Sequence, residues 1–222
     1  MDSEKFTLEL GGRELSLEVK DLAEQAAGSI FARYGDTVVL ATCCMSPTSA
    51  SSRGFFPLTV DYEERYYAAG KIKGPRYIRR ESRPSDKAIL NARLIDRTIR
   101  PRFSQNLFRE VQVVDTVLSW DGQNDPNVLG IIAASTALSL SNIPWRGPLA
   151  AVKIGRVNNE FVLNPVAELE EKNEFQLVIA GDFGAGGQLI INMLEGEGSE
   201  VSEELVAAAV EFARPYLKKI ID

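Results

Sequence analysis

Alternating apolar and polar positions dominate the first 70 residues and predict β-hairpins. The stretch FTLELGGRELSLEV (residues 6–19) alternates on both sides of Gly11-Gly12, as expected for two strands joined by a tight turn. GSIFARYGDTVVLATCC (28–44) predicts two more strands around a Gly-Asp turn, and GFFPLTVDYEERYYA (54–68) predicts another. This part of the chain is therefore predicted to be strands connected by short turns.

A helical period replaces this alternation in three places. A helix is predicted from about Pro84 to Arg100, because proline suits a first helical turn and a second proline follows Arg100. NVLGIIAASTALSLSNIP (127–144) is strongly apolar and rich in small residues, which predicts a helix buried on more than one side. SEVSEELVAAAVEFARPYLKKII (199–221) predicts an amphipathic helix with acids in its first turn, which Pro215 is expected to kink or interrupt.

The segments between and after the first two helices predict further strands. VQVVDTVLSW (111–120) is a continuous apolar run, typical of a central strand. AAVKIGRVNNEFVLNP (150–165) predicts a hairpin that turns at Asn158-Asn159, and FQLVIAGDFGAGGQLIINML (175–194) predicts one that turns through glycines. Because the sequence has no linker, repeat or low-complexity tract, we expect residues 1–222 to form a single α+β domain.

Composition and charge fit a globular protein of ordinary make-up. The chain has 222 residues, 45% hydrophobic and 25% charged, with a net charge of −6. No apolar run reaches the roughly 20 residues that a membrane helix needs. The N-terminus is acidic and alternating, unlike a signal or transit peptide. We therefore expect a cytoplasmic protein without a membrane partner.

Cysteine and histidine usage excludes several kinds of site. Cys43 and Cys44 are adjacent at the end of a predicted strand. Neighbouring strand residues point to opposite faces, so the pair is a poor disulfide or metal site, and we interpret both as small buried apolar residues. The chain has no histidine, which excludes Ser–His–Asp and Cys–His catalysis and most zinc sites.

Positive charge is concentrated in residues 65–102, called the basic segment below. It contains twelve Lys or Arg residues against three acids, a net charge of +9 (12 − 3), whereas the rest of the chain has 13 bases and 28 acids, a net charge of −15 (13 − 28). Three acids cannot pair with twelve bases, so an anionic partner is favoured over a solvated helix face with internal salt bridges. Charge alone leaves RNA, DNA and acidic lipid open as that partner.

Within the basic segment, Arg93, Arg97 and Arg100 recur at i, i+4 and i+7 and so share one face of the predicted helix. The apolar face carries Ala88, Ala92, Ile95 and Ile99. The helix can therefore bury one face and present guanidinium groups, which bind phosphate in a bidentate manner, from the other.

Further candidate RNA-binding residues precede this helix. Arg79, Arg80 and Arg83 lie in the preceding loop, interleaved with aromatic residues. The tyrosines of the segment are Tyr66, Tyr67 and Tyr77. They offer stacking surfaces of the kind that single-stranded nucleic acid uses, although Tyr66 and Tyr67, next to a predicted strand, fit a core position as well.

Four stretches carry a resemblance to a known family. They are LAEQAAGSIFARYGDTVVLATCC, FFPLTVDYEERYYAAGKIKG, RRESRPSDKAILNARLIDRTIRP and LSLSNIPWRGPLAAVKIGRVNNEFVLNP. They closely resemble the first of the two ribonuclease PH-like domains of bacterial polynucleotide phosphorylase, and the resemblance runs from about Phe6 to the C-terminus. It implies an α+β fold, with a mixed sheet packed with helices.

The resemblance also implies an activity and partners. Enzymes of this family degrade single-stranded RNA from the 3′ end with inorganic phosphate and Mg²⁺, releasing nucleoside diphosphates, and form a homotrimeric ring around an RNA channel. Degradosome-type partners, such as an endoribonuclease or a helicase, are implied as well. The family's RNA-gripping loop corresponds to Tyr77-Ile78-Arg79-Arg80, in which Ile78 departs from the usual aromatic residue.

The resemblance implies that the catalytic and phosphate-binding residues of the family belong to its second ribonuclease PH-like domain, which we do not expect in this chain. At the phosphate-binding turn, this chain has Asp125-Pro126, a negative charge followed by a residue without an N–H. The later hairpin ends in Asn164-Pro165 where active domains carry paired aspartates. The acids that follow, Glu168, Glu170 and Glu171, are interpreted as the solvated face of a short helix.

The sequence thus predicts a non-catalytic, RNA-binding and ring-forming domain. We assign no catalytic or metal-binding residue to it, and neither phosphate nor Mg²⁺ has an evident site. The predicted RNA-binding residues are Tyr77, Arg79, Arg80, Arg83, Arg93, Arg97 and Arg100. Two alternatives stay open: a self-sufficient nuclease of the single-domain ribonuclease PH type, and a non-catalytic ring-assembly module.

Overall fold

Two β-sheets form the framework of the chain in a computed structural model that describes residues 4–20, 22–49, 54–72, 74, 83–170 and 174–222. The first sheet contains β1 (Glu4–Leu10), β2 (Arg13–Val19), β3 (Gly28–Tyr34), β4 (Thr37–Ser49), β5 (Leu58–Glu64) and β6 (Arg109–Ser119), in the order β1-β2-β3-β4-β6-β5. The second contains β7 (Ala150–Val157), β8 (Glu160–Leu163), β9 (Phe175–Phe183) and β10 (Leu189–Gly198), in the order β10-β9-β7-β8.

The first sheet is mixed, which confirms the fold class implied by the resemblance. β5 pairs with β6 in parallel, while every other named pair in the sheet is antiparallel. The hairpins predicted from local turn chemistry are present. At the β7–β8 turn, Asn158 and Asn159 have φ values of 52° and 66°, the left-handed conformation that a tight hairpin turn requires and that asparagine tolerates.

Four helices complete the described residues: α1 (Asp86–Ile99), α2 (Pro126–Leu140), α3 (Ala167–Glu170) and α4 (Glu203–Ile221). Short 3-10 turns cover Tyr66–Ala69 and Arg100–Arg102. Ser85 caps α1 by accepting a hydrogen bond from the Ala88 N–H at 3.0 Å, so Pro84 precedes the cap and is not in the first turn as predicted. Pro215 lies inside α4 without ending it.

Helix α2 lies between the two sheets. It contacts β3 and β4 of the first sheet and β7 of the second, and ten of its fifteen residues are buried. Helix α4 covers the other face of the second sheet through β7 and β9, which explains why β7 is buried on both faces. The order of layers is sheet, helices α1 and α2, sheet, helix α4.

The two cysteines differ, as their strand positions require. Cys43 is buried, and its Sγ lies 3.4 Å from the carbonyl oxygen of Ala137. Burial raises the pKa of this thiol to about 11. Cys44 points the other way and is exposed, so the interpretation of both cysteines as buried was wrong for Cys44.

Candidate functional site

A cleft of about 820 Å³ lies between β5 and α1 and is called the β5–α1 cleft below. Strand β5 and the 3-10 turn after it form one side, and the start of α1 forms the other. Trp120, which follows β6, and Pro126, which begins α2, also line it. Most of its lining therefore comes from the basic segment and the strand before it.

Two of the predicted RNA-binding residues line this cleft. Arg83 and Arg93 are both exposed and both contribute to the lining, together with Lys71 and Lys87. Within the described part of the chain, none of these four side chains forms an ion pair. The cleft therefore presents four basic side chains that have no ion-pair partner among the described residues, although its lining as a whole carries five basic and five acidic residues.

The other two arginines predicted on α1 are engaged by the protein itself. Arg97 pairs with Glu195 of β10. Arg100 pairs with Asp96 through Nε and Nη2, at 2.6 and 2.7 Å, and also donates to the carbonyl oxygen of Leu58 at 3.2 Å. The structure therefore separates Arg93, which faces the cleft, from Arg97 and Arg100.

Acids from outside the basic segment neutralise part of its positive charge. This corrects the expectation that most bases of the segment lack an acidic partner. Arg102 pairs with Asp182 of β9 at 2.8 Å, and Arg65 pairs with Glu63. Counting only the acids inside the segment overestimated its free charge, because partners arrive from strands that are distant in sequence.

The predicted RNA-gripping loop, with Tyr77, Arg79 and Arg80, lies outside the described residues. Tyr66 and Tyr67 lie in the 3-10 turn after β5 and are 47% and 58% exposed, so the core alternative is wrong for both. Trp120, 42% exposed, is a cleft residue that sequence reasoning missed. Its only sequence signal was an aromatic residue at the end of an otherwise apolar strand.

A buried polar cluster includes Tyr62, one of the residues that line the cleft. Tyr62 lines the cleft but is only 3% exposed, and Asp115, its register partner on β6, is fully buried. Both Asp115 carboxylate oxygens lack a hydrogen-bond partner among the described residues, and the Asn91 side chain adjoins the Tyr62 hydroxyl and partly offsets the rise in its pKa that burial causes. Unpaired buried polar atoms are costly, so this cluster requires an explanation.

Burial controls the ionisation of the cluster. It raises the pKa of Asp115 well above its ordinary value, because no cation or donor compensates the charged form. Burial also raises the pKa of Tyr62, and the carboxyl groups of Asp125, Glu64 and Asp115 act in the same direction. Burial in the core therefore favours the neutral, protonated form of the Asp115 carboxyl.

At the turn after β6, carboxylates of the chain accept hydrogen bonds from backbone N–H groups that could otherwise bind an anion. Asp121 accepts hydrogen bonds from the backbone N–H groups of Gln123 and Asn124 at 2.8 and 2.7 Å. Burial opposes ionisation of this carboxyl, but the hydrogen bonds outweigh it and lower its pKa. Asp125 caps α2 through the Asn127 N–H and pairs with the buried Lys153 at 2.7 Å. Carboxylates of the chain thus occupy donors that a phosphate would need.

The described acids do not gather into a metal site. No group of three or more His, Cys, Asp or Glu side chains among them is placed to hold a metal ion. In the cleft, Glu63, Asp96 and Asp125 each pair with a cation of the chain. Among the described residues, no group of carboxylates therefore fits Mg²⁺. Nor is any described helix long and apolar enough to cross a membrane.

Comparison with known proteins gives consistent matches over nearly the whole chain. Residues 11–144 match the family described as 3′ exoribonuclease family, domain 1, and residues 147–215 match domain 2 of the same family. The chain is 49% identical over 218 residues to the polyribonucleotide nucleotidyltransferase of Thermus thermophilus, covering 98% of this chain and 30% of that protein. It is 48% identical over 223 residues to the one of Geobacillus kaustophilus, covering 100% and 30%.

The chain thus spans about 30% of the length of the curated relatives it matches. Among solved structures, the crystal structure of Rrp46 from rice (Oryza sativa) is similar with a TM-score of 0.68 at 14% identity, covering 98% of this chain and 92% of that one. At such low identity, this likeness supports the fold alone.

Proposed function

The chain belongs to the 3′ exoribonuclease family, and from this premise we propose that it is the RNA-binding, ring-forming N-terminal domain of a polyribonucleotide nucleotidyltransferase. The family and the identity of nearly half of all residues to enzymes of that name confirm the resemblance found in the sequence. On this proposal, the longer protein degrades single-stranded RNA from the 3′ end by phosphorolysis and releases nucleoside diphosphates.

RNA contact is assigned to the basic segment. The observation that carries it is that Arg83 and Arg93 line the cleft, are exposed, and have no ion-pair partner among the described residues. These arginines follow the loop with Tyr77, Arg79 and Arg80, which we propose as the main grip on RNA. Arg97 and Arg100 keep a secondary role, because contact with phosphate would have to compete with Glu195 and Asp96.

Catalysis is assigned to a part of the longer protein outside this chain. Asp121 and Asp125 fill the donors at the turn after β6 and at the start of α2. We propose that phosphate and Mg²⁺ act at a second ribonuclease PH-like domain of the longer protein, as the resemblance implies. A cytoplasmic location and degradosome-type partners, an endoribonuclease or a helicase, belong to the same proposal.

Ring formation is supported by an apolar sheet edge. Strand β10 lies at the edge of the second sheet, and its Ile190, Ile191 and Leu194 are exposed. Edge strands with exposed apolar residues favour pairing with another chain or domain. We propose that this edge is covered in a homotrimeric ring.

The test of RNA binding compares a variant that lacks the proposed grip with a control variant that loses the same amount of charge elsewhere. Arg79 and Arg80 are changed together to Ala, and the control changes Arg146 and Arg214, both exposed and outside the cleft. Binding of a fluorescently labelled oligoadenylate is measured by anisotropy between 50 and 300 mM salt. The grip variant should lose roughly 2–4 kcal/mol of binding free energy, at about 1–2 per charge-assisted contact. Its salt slope should fall by about 1.4.

Equal binding and equal salt slopes for the two variants would contradict the proposal and leave ring assembly as the role of the basic segment. Release of nucleoside diphosphate from oligoadenylate by the purified chain with phosphate and Mg²⁺ gives a second readout. We expect none. Turnover that survives removal of contaminating enzymes would favour the self-sufficient ribonuclease PH-type alternative.

A further inference from the structure

Glu195, on β10, places its carboxylate against the guanidinium group of Arg97, on α1. We propose that Glu195 is a displaceable internal substitute for an RNA phosphate: it holds Arg97 until RNA replaces it, and it thereby lowers the affinity of the chain for single-stranded RNA. This inference rests on the proposed contact between RNA and the basic segment. It adds a residue from outside that segment which regulates the contact.

The position of Arg97 on α1 places it within reach of bound RNA. Arg93 and Arg97 lie four residues apart, so they share one face of the helix with about 5–6 Å between their Cβ atoms. Arg93 lines the β5–α1 cleft and is exposed. A nucleic-acid backbone that contacts Arg93 can therefore bring a phosphate to Arg97. Guanidinium groups bind phosphate and carboxylate with the same paired geometry, so the two anions compete for one site.

The exposure of the Arg97–Glu195 pair makes it easy to displace. The two side chains are 53% and 47% exposed. Exposed ion pairs contribute little, at most a factor of about five in an equilibrium constant. A phosphate group can therefore replace the Glu195 carboxylate at a small cost, and that cost is subtracted from the affinity for RNA.

Other links between α1 and the second sheet do not need Glu195. Arg102 pairs with Asp182 at 2.8 Å, and these side chains are only 17% and 21% exposed. Arg102 also donates a hydrogen bond to the Asn192 side chain at 3.1 Å, and the Asn192 amide donates to the carbonyl oxygen of Thr98. These contacts hold the end of α1 against β9 and β10. The loss of the Glu195 charge should therefore leave the helix in place.

Arg100 does not offer the same exchange. It pairs with Asp96 through two nitrogen atoms, at 2.6 and 2.7 Å, and it donates to the carbonyl oxygens of Phe56 and Leu58 at 3.4 and 3.2 Å. A phosphate would have to replace several of these partners at once. The release of Arg97 from one exposed carboxylate is the easier step.

The exchange has a consequence for how RNA is held. Contact with Arg97 replaces an existing ion pair and adds no new one, so RNA binding is weaker and less dependent on salt than the number of basic side chains implies. In the proposed enzyme, RNA has to move past this helix as its 3′ end is shortened. A weak hold at Arg97 suits such movement.

The experiment compares two variants of β10 that remove the same charge. Glu195→Gln keeps the size of the side chain and releases Arg97. The control is Glu197→Gln, two residues further along the strand, because Glu197 accepts a hydrogen bond from the neutral Gln176 side chain at 3.0 Å. Binding of a fluorescently labelled oligoadenylate is measured by anisotropy between about 50 and 300 mM salt. At the lowest salt, Glu195→Gln should bind about twofold to fivefold more tightly than the control. Its salt slope should be steeper by about 0.7, the value of one additional phosphate contact on a single strand.

A double-mutant cycle shows whether the gain acts through Arg97. In the Glu195→Gln background, Arg97→Ala should remove the whole gain in affinity. In the parent, the same change should weaken binding by less than about twofold, because Glu195 already occupies this arginine. Circular dichroism and urea unfolding show that each variant is folded, and Glu195→Ala takes the place of Glu195→Gln if that variant is not.

Three results would overturn the inference. They are equal affinities of Glu195→Gln and Glu197→Gln, a gain in affinity that persists without Arg97, and a lower free energy of unfolding of Glu195→Gln with no gain in affinity, which is the result expected if the pair only fastens α1 to β10. The proposed RNA binding is judged separately by the variant that lacks Arg79 and Arg80. If that variant loses affinity while Glu195→Gln binds like its control, RNA binding stands and the role of Glu195 is wrong. A parent chain that does not bind oligoadenylate at any of these salt concentrations would overturn both.

Discussion

Asp115 and Gly130 form a pair whose effects on stability should be strongly coupled. A Cβ at Gly130, inside α2, would lie 3.0 Å from Oδ2 of Asp115 and 3.4 Å from side-chain atoms of Ile95 and Tyr62. Glycine in a helix interior costs about 1 kcal/mol relative to alanine. The buried acid therefore imposes a glycine on the helix that faces it.

The magnitudes follow from these contacts. Asp115→Ala removes a buried carboxyl group without hydrogen bonds and should raise the free energy of unfolding by about 1–3 kcal/mol at pH 7. Gly130→Ala alone should lower it by about 1 kcal/mol, because overpacking at about 1–3 kcal/mol exceeds the gain in helix propensity. With alanine already at 115, the new methyl group occupies vacated space, and Gly130→Ala should stabilise by about 1 kcal/mol.

The assay is a double-mutant cycle by urea unfolding, followed by tryptophan fluorescence and circular dichroism. We expect a coupling of about 2 kcal/mol, the difference between the two effects of Gly130→Ala. Independent sites add within about 0.3–0.5 kcal/mol. If Gly130→Ala has the same effect in both backgrounds, or stabilises the parent, the steric reasoning is refuted. Ala208→Gly, on an exposed face of α4, reports the helix-propensity term alone.

Two further predictions concern titration and reactivity. Burial raises the folded-state pKa of Asp115, so its proton stabilises the folded protein fully below the unfolded pKa, and this stability is lost as pH rises towards the folded pKa. In urea unfolding, the free energy of unfolding of the parent should fall by up to about 1.4 kcal/mol per pH unit above pH 4, relative to that of Asp115→Asn. If the free energies of the two proteins change with pH in parallel, this prediction is wrong. In the native protein, a thiol reagent should label one cysteine, Cys44, rapidly, whereas Cys43, buried with a pKa of about 11, should react only on unfolding. Mass spectrometry of peptides decides, and equal labelling of both cysteines would show that β4 opens in the native state.

Local chemistry explains what the sequence predicted well. The turns at Gly11-Gly12 and Asn158-Asn159 have positive φ values at both central residues, and that requirement is written in the residues of the turn itself. The buried helix α2 was also predictable, because an apolar pattern on all sides needs cover on all sides. Both inferences need only neighbours in sequence.

Contacts between segments that are distant in sequence explain what could not be predicted from the sequence. The acids that pair with Arg97 and Arg102 come from β10 and β9, 98 (195 − 97) and 80 (182 − 102) residues further along the chain. Asp115 lies in an apolar run that correctly predicted a central strand, yet its lack of partners depends on β5 and α2. The cleft itself was not predicted, since its walls come from β5, α1 and the residue after β6.

The position of α2 between two sheets determines how long its apolar surface stays exposed during synthesis. The helix ends at Leu140, and the strand that covers its second face, β7, ends at Val157, 17 residues later. At a synthesis rate of about 5–20 residues per second, this strand is completed about 1–3 s after the helix. During that interval an apolar helix with one sheet in place has no cover on its other side. The nascent chain therefore presents its most hydrophobic surface to chaperones and to other unfinished chains before the native layers can close.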